Sequence, residues 1–340
     1  MQNEIRIDLL RSALISQSGD IYDFDDVQEF LLRRDFRKPV EIRFLAWLIR
    51  FSIIPAARSE WVSKLQSKYS AYKVLCQHFF KESIDTPLVK LENDIAYTIR
   101  VDIERTHTWF LNLAKLLHIP QTFLENTNIM VERILSVITL DTPNLSYVQG
   151  HDRYAWISLL IGLFFIAKGG LNADFAEAMA FYLSRAFIAY NPISQDIENF
   201  SKIEAHFKIL DALVEKHVPE AYAMLNSVGH SSMHYALKWE LTLFADEHNI
   251  HELMYLWDQI LGRLEDITDF LRYLCVAHIQ QVPIPKMADE MAQAIQRNRN
   301  WDLPHLIDFA DSLLMQTRGG ISFIEKIRFL YLNYCESCMV

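Results

Sequence analysis

The stretch Ile95-Ala-Tyr-Thr-Ile99-Arg-Val-Asp102-Ile103-Glu-Arg105-Thr106-His-Thr-Trp-Phe110-Leu-Asn-Leu113-Ala-Lys-Leu-Leu117 decides the fold class. Ile95, Ile99, Ile103, Thr106, Phe110, Leu113 and Leu117 recur at spacings of three and four, the period of a helix with one buried face. At ~100° per residue, Arg105 points about 120° away from the centre of that stripe, and Asp102 lies at its edge one turn earlier. The spacing predicts an exposed arginine with a carboxylate within reach to orient it.

The helical period continues on both sides. Helices are predicted over 4–15 and over 25–32, the second capped by Asp25 or Asp26. Pro39 opens an apolar segment over 42–54. A helix over 131–138 should leave Glu132 and Arg133 exposed, and Pro143-Asn144 marks a turn after it. The uncharged run over 154–167 is too short for an ordinary transmembrane helix and suits a buried core helix, stopped by Gly169-Gly170. Further helices are predicted over 175–190, 203–217, 219–226, 233–247, 251–261, 267–278, 285–297, 303–316 and 321–336. No regular repeat indicates a solenoid. The expected architecture is all-α and two-lobed with no significant sheet. Residues 1–38 form an N-terminal helical extension packed on the domain, 39–198 the N-terminal lobe and 199–340 the C-terminal lobe.

Composition narrows the function. Hydrophobic residues are 51% of the 340, enough for an extensive core, and only 9 glycines and 10 prolines fit helices with short connections. A net charge of −10 lacks the footprint of a nucleic-acid binder or a polybasic membrane patch. Arg33-Arg34 with Arg37-Lys38 is the nearest approach and reads as a solvated helix end. The N-terminus has no secretory signal pattern. Four scattered cysteines fit a reducing compartment, and Cys335-Glu-Ser-Cys338 is a lone pair without two further zinc ligands.

Several chemistries are missing from the sequence. There is no GxxxxGK[ST] loop, no GxSxG elbow and no GxGxxG turn. Tyr255 stands where a HExxH zinc site beginning at His251 would need its second histidine, and His230 with His234 has no third ligand nearby. No metal site is expected. What remains is Arg105 with Asp102, and Tyr147-Val-Gln149-Gly150 further along. Taken alone, the first is an exposed helix pair worth a few tenths of a kcal/mol, and the second is a turn.

Read together, four motifs in order change that balance: Arg43 with Trp47; Ile99, Asp102, Arg105 and Thr106; Tyr147, Gln149 and Gly150; and Trp239 to Phe244 followed by Trp257-Asp258. Through them the chain resembles the TBC-domain family of Rab GTPase-activating proteins over roughly residues 40–330. The resemblance implies a two-lobed helical TBC domain whose N-terminal lobe carries two catalytic fingers, Arg105 and Gln149. It implies that they accelerate GTP hydrolysis by a GTP-bound Rab-family small GTPase. Asp102, Thr106, Tyr147 and Gly150 would support them, while Arg43, Trp47, Ile99, Trp239, Trp257 and Asp258 would be structural. A protein of this kind is no enzyme on its own and needs no cofactor of its own, since GTP and Mg2+ are held by the GTPase.

The family commonly continues Gln-Gly-Met-Asn, whereas this chain has Gln149-Gly150-His151-Asp152, which alters the support under Gln149. Asp302-Leu-Pro304 with Leu306-Ile307 and Ala310 is similar to the endoplasmic-reticulum-associated branch, whose members carry a C-terminal anchor. Here the last predicted helix holds Lys326, Arg328 and Glu336, so no anchor is expected in it; either the protein is soluble or a tail has been removed. The expected location is cytoplasmic, with peripheral recruitment to endomembranes in vesicle trafficking. The competing reading is a non-catalytic TBC adaptor or scaffold, disfavoured because both fingers are kept. An unrelated helical interaction protein stands behind both.

Overall fold

Nearly every stretch with helical periodicity is a helix in the computed structural model, which describes residues 24–80, 91 and 93–317 together with Leu14. Among the described residues there are fifteen α-helices, four short 3-10 turns and no strand. The expected all-α class is what the chain adopts. The helix predicted over 4–15, apart from Leu14, the one over 321–336 and the Cys335–Cys338 pair lie outside the described residues.

The described residues form two compact units. The first holds residues 24–32 and Arg37–Ile197; the second holds Arg33–Phe36 and the chain from Glu198 onward. In the first, α1 spans Phe24–Leu32, α2 Val40–Arg50, α3 Trp61–Phe79, α4 Asn93–Leu116, α5 Thr127–Asp141, α6 Asp152–Gly169, α7 Ala173–Tyr190 and α8 Pro192–Asp196. Helix α6 is surrounded by α2, α4, α5 and α7, so its sequence is apolar on every side. Trp156, Ile157, Leu159, Leu160 and Phe165 are all fully buried, each contributing about 1.5–3 kcal/mol. Gly162 lets α7 approach: a Cβ there would come within 3.3 Å of the Ala176 backbone. Gly170, at φ +67°, closes the helix in the left-handed region.

Arg133 corrects the expectation of exposure. Helix α5 is flanked by α3 as well as α7, so a face that would be solvent in a two-helix pair is covered. Arg133 Nε and Nη2 donate to the two carboxylate oxygens of Glu177 at 2.7 and 2.6 Å, and the Tyr72 hydroxyl donates to Glu177 Oε1 at 2.7 Å. Glu177 is buried. Periodicity marks the apolar stripe of a helix but not how many neighbours enclose the rest.

In the second unit, α9 spans Phe200–His217, α10 Pro219–Ser227, α11 Met233–Leu241, α12 Ile250–Leu261, α13 Ile267–Gln280, α14 Met291–Arg297 and α15 Leu303–Thr317. The basic cluster at 33–38 is solvated only in part: Arg33 and Arg37 are exposed, whereas Arg34 and Lys38 are not. Arg34 Nη2 bridges Asp308 and Asp311 at 2.9 and 2.7 Å, and Phe36 stacks on Tyr255 with centroids 4.0 Å apart. In the first unit, Lys38 is buried and donates to the Leu31 carbonyl at 2.9 Å. The helix predicted over 233–247 also stops early, at Leu241. Leu243 and Phe244 take φ of +47° and +61°, a conformation costing about 1–2 kcal/mol per non-glycine residue. Burial of Phe244 against the His278 ring, centroids 4.4 Å apart, and donation of Trp257 Nε1 to the Leu243 carbonyl at 2.9 Å hold the turn. Asn249 and Glu252 then form a reciprocal capping box that starts α12. The helix predicted over 285–297 begins only at Met291, after a 3-10 turn over Ala288–Glu290.

Candidate functional site

The site grows from one carboxylate. Asp102 is buried on α4, where Ile99 and Ile103 turn that face into the core. Its Oδ1 accepts from Arg105 Nη2 at 2.8 Å and its Oδ2 accepts from the Tyr147 hydroxyl at 2.7 Å. The arginine side chain is 49% exposed while its partner is 2% exposed, so the guanidinium stands at the surface on an interior anchor. Burial above all, then the charges of Asp152 and Asp102, raises the Tyr147 phenol well above its ordinary pKa. The phenol keeps its proton and acts as the donor. A charge-assisted bond of this kind is stronger than a neutral one.

Thr106 completes the helix side. Its hydroxyl donates to the Asp102 carbonyl at 2.7 Å and accepts from Trp156 Nε1 at 2.7 Å. Trp156 is fully buried on α6 and packs on Phe110 with centroids 4.4 Å apart. One threonine therefore fixes α4 against α6 one residue beyond Arg105. The sequence reading did not single out Trp156. The available signal was an indole N–H inside an apolar helix, which needs an acceptor.

The loop between α5 and α6 carries Gln149, which is exposed. With the amide turned so that its oxygen faces the guanidinium, Gln149 accepts from Arg105 Nη1 at 2.6 Å and from Nη2 at 3.2 Å. The two candidate fingers thus meet at the surface of one unit. Gly150 follows at φ +111°, where only glycine sits without strain, and its carbonyl accepts from Arg153 N at 3.1 Å as α6 begins.

Beneath the loop lies His151, only 1% exposed. Its main-chain N–H donates to the Val148 carbonyl at 3.0 Å, and its Nδ1 accepts from the Val148 N–H at 3.3 Å. A backbone N–H only donates, so Nδ1 is bare and Nε2 carries the proton, donating to Ser194 Oγ at 3.0 Å. Burial pushes the imidazole down to about 3 from 6.5. Ser194 N donates to Asn191 Oδ1 at 2.9 Å, and Asn191 Nδ2 to the Tyr154 hydroxyl at 3.0 Å. Asn191 and Ser194 escaped the sequence reading, since Asn191-Pro192 reads from sequence only as a break after the helix over 175–190.

The remaining motif residues pack elsewhere. Arg43 is buried and its Nη1 donates to the Lys38 carbonyl at 2.8 Å. Trp47 is fully buried, edge-on to Phe187 at 5.7 Å. Trp239, Trp257 and Asp258 are buried in the second unit. Among the described residues, no group of three histidine, cysteine or acidic side chains is placed to hold a metal, and no helix is long and apolar enough to cross a membrane. The arrangement offers an exposed guanidinium and an exposed carboxamide side by side, able to meet an anion and a water molecule presented by another molecule.

The chain resembles known proteins in sequence and in fold. The family model described as the Rab-GTPase-TBC domain matches residues 41–282. TBC domain-containing protein kinase-like protein from Gallus gallus, Mus musculus and Homo sapiens is in each case 28% identical over 166 residues. That alignment covers 48% of this chain and 16% of each relative, about a sixth of their length. Among solved structures, the Ypt/Rab-GAP domain of Gyp1p superposes with a TM-score of 0.65 at 16% identity, covering 92% of this chain and 99% of that one. The Chlamydomonas flagellar RabGAP TBC domain superposes with a TM-score of 0.59 at 14% identity, covering 90% of each. At these identities the structural likeness is one of fold.

Proposed function

The chain belongs to the Rab-GTPase-TBC domain family, and we propose that it activates a Rab-family small GTPase by lending it Arg105 and Gln149. The observation that carries this reading is the meeting of the two side chains at an exposed surface, with Asp102 buried behind the arginine. The GTPase supplies GTP and Mg2+. On docking, the Arg105–Gln149 hydrogen bond is exchanged for contacts with the nucleotide. Water attacks the γ-phosphorus, the bond to the β–γ bridging oxygen breaks, and GDP departs with that electron pair while the water's protons pass to the products. Arg105 offsets the charge building on the transferring group and leaving oxygen, and Gln149 orients the water. Glutamine suits this because its amide both accepts and donates. The protein has no turnover of its own on this reading, and recruitment to endomembranes follows from the Rab it meets.

The test is single-turnover hydrolysis by a panel of GTP-loaded Rab proteins with and without this protein. Acceleration of at least one Rab, lost in Arg105→Ala, supports the reading. Binding without acceleration across the panel replaces it with the adaptor.

A further inference from the structure

We propose that His151 is a positioning residue for Gln149, gripping the preceding residue Val148 from both sides and anchoring that grip to Ser194. The proposal rests on the reading of Gln149 as the water-orienting group and adds what fixes its aim. Gln149 itself is exposed, and Gly150 after it has no side chain to lock the loop. Tyr147 ties the loop to Asp102 two residues before Gln149, and the adjacent residue Val148 is held at its N–H and its carbonyl by His151, through Nδ1 at 3.3 Å and the main-chain N–H at 3.0 Å. The ring cannot swing, because Nε2 donates to Ser194 Oγ at 3.0 Å, and Ser194 is tied through Asn191 to Tyr154. The grip needs one tautomer, with Nδ1 bare. A thioether or aliphatic side chain would fill the same space but offers Val148 no comparable acceptor. Burial keeps the imidazole neutral, so the acceptor persists through the physiological range.

A side chain that only fills the core would change stability, whereas one that aims Gln149 changes the chemical step through Gln149 alone. The discriminating measurement is a double-mutant cycle on single-turnover GTP hydrolysis, using the Rab from the panel that the wild-type protein stimulates most. Saturating rate and half-maximal activator concentration are compared for wild type, His151→Leu, Gln149→Ala and the pair. A misplacement of ~1 Å can cost about 10²-fold, so His151→Leu should lower the saturating rate roughly ten- to a hundred-fold and leave the half-maximal concentration nearly unmoved. In the Gln149→Ala background it should change little. His151→Asn, whose amide oxygen can stand in for Nδ1, should recover most of the rate. Equal losses in both backgrounds would overturn the proposal while leaving Gln149's role intact. An unimpaired Gln149→Ala would overturn that role and the proposal with it. Should His151→Leu fail to fold, Ser194→Ala serves instead, since it releases the ring but keeps the serine main-chain bond to Asn191. A loss seen only when Gln149 is present supports the proposal, and no loss or an equal loss overturns it.

Discussion

Asp102 accepts the Tyr147 hydroxyl at 2.7 Å across 45 positions of sequence. That bond ties the helix carrying Arg105 to the loop carrying Gln149, because the same carboxylate accepts from Arg105 at 2.8 Å. The two halves of the site are registered through one buried side chain beneath the exposed Arg105–Gln149 contact.

Tyr147→Phe keeps the ring and removes the bridge. It should leave Arg105 held by Asp102 but free the loop, lowering stability by about 1–3 kcal/mol as a buried carboxylate oxygen loses its donor. Urea unfolding measures the first effect. Single-turnover hydrolysis measures the second, a reduced maximal rate.

Replacing Arg105 should cost chemistry far more than stability. Arg105→Ala should still fold, giving up about 1–3 kcal/mol as the buried Asp102 Oδ1 loses its donor, yet lose roughly 10³–10⁵ in stimulated rate, or about 4–7 kcal/mol of barrier. Arg105→Lys should recover little, since an ammonium lacks the planar fork. A folded Arg105→Ala protein with near-normal stimulation would remove the arginine from the mechanism.

Thr106→Val separates scaffold from chemistry. Valine preserves the shape but leaves Trp156 Nε1 without its acceptor inside the core, which should cost about 1–3 kcal/mol. At a temperature where the variant is fully folded, its stimulated rate should stay within a fewfold of wild type. Thermal melts and hydrolysis assays on one preparation check both halves.

The histidines set a pH dependence. Burial pushes His151 down to about 3 and holds His278 well below 6.5. A group whose folded value lies below its unfolded value takes up its proton in the unfolded chain first. Its stabilisation is complete above about 6.5 and declines as the pH falls toward the folded value. Unfolding free energy should therefore drop between pH 7.5 and 5, and the slope should be shallower in His151→Asn. An unchanged slope in that variant would contradict the assignment.

The helix half of this site was legible because it is local: the 3.6-residue period turns Arg105 away from the buried stripe and leaves Asp102 at the stripe's edge, one turn away. Gln149 was legible only through the family resemblance, since alone it reads as a turn residue. The bond from Asp102 to Tyr147 was not legible, nor was the placing of Arg133 against Glu177, because both depend on which helices become neighbours. His151 showed in the sequence only as a residue standing where a methionine is usual. Its grip on Val148 needs the loop's backbone path, which the glycine at φ +111° creates. The early stop of α11 was hidden for a related reason: Leu243 and Phe244 accept left-handed backbone because tertiary burial compensates for it, against their local preference. Arg34 and Lys38 looked solvated since charge patterning registers what a side chain is, and says nothing of the carboxylates and carbonyls that meet it.

The most direct test of the central claim measures single-turnover GTP hydrolysis for four pairings: wild-type or Gln149→Ala protein, with a Rab that keeps its own switch glutamine or has alanine there. If the water-orienting amide comes from this protein, the Rab lacking its glutamine remains strongly stimulated by the wild-type chain. Gln149→Ala then loses on the order of 10²-fold with either Rab. If the Rab's glutamine proves indispensable and Gln149 dispensable, the water is oriented from within the GTPase, and the two-finger account of this surface is wrong.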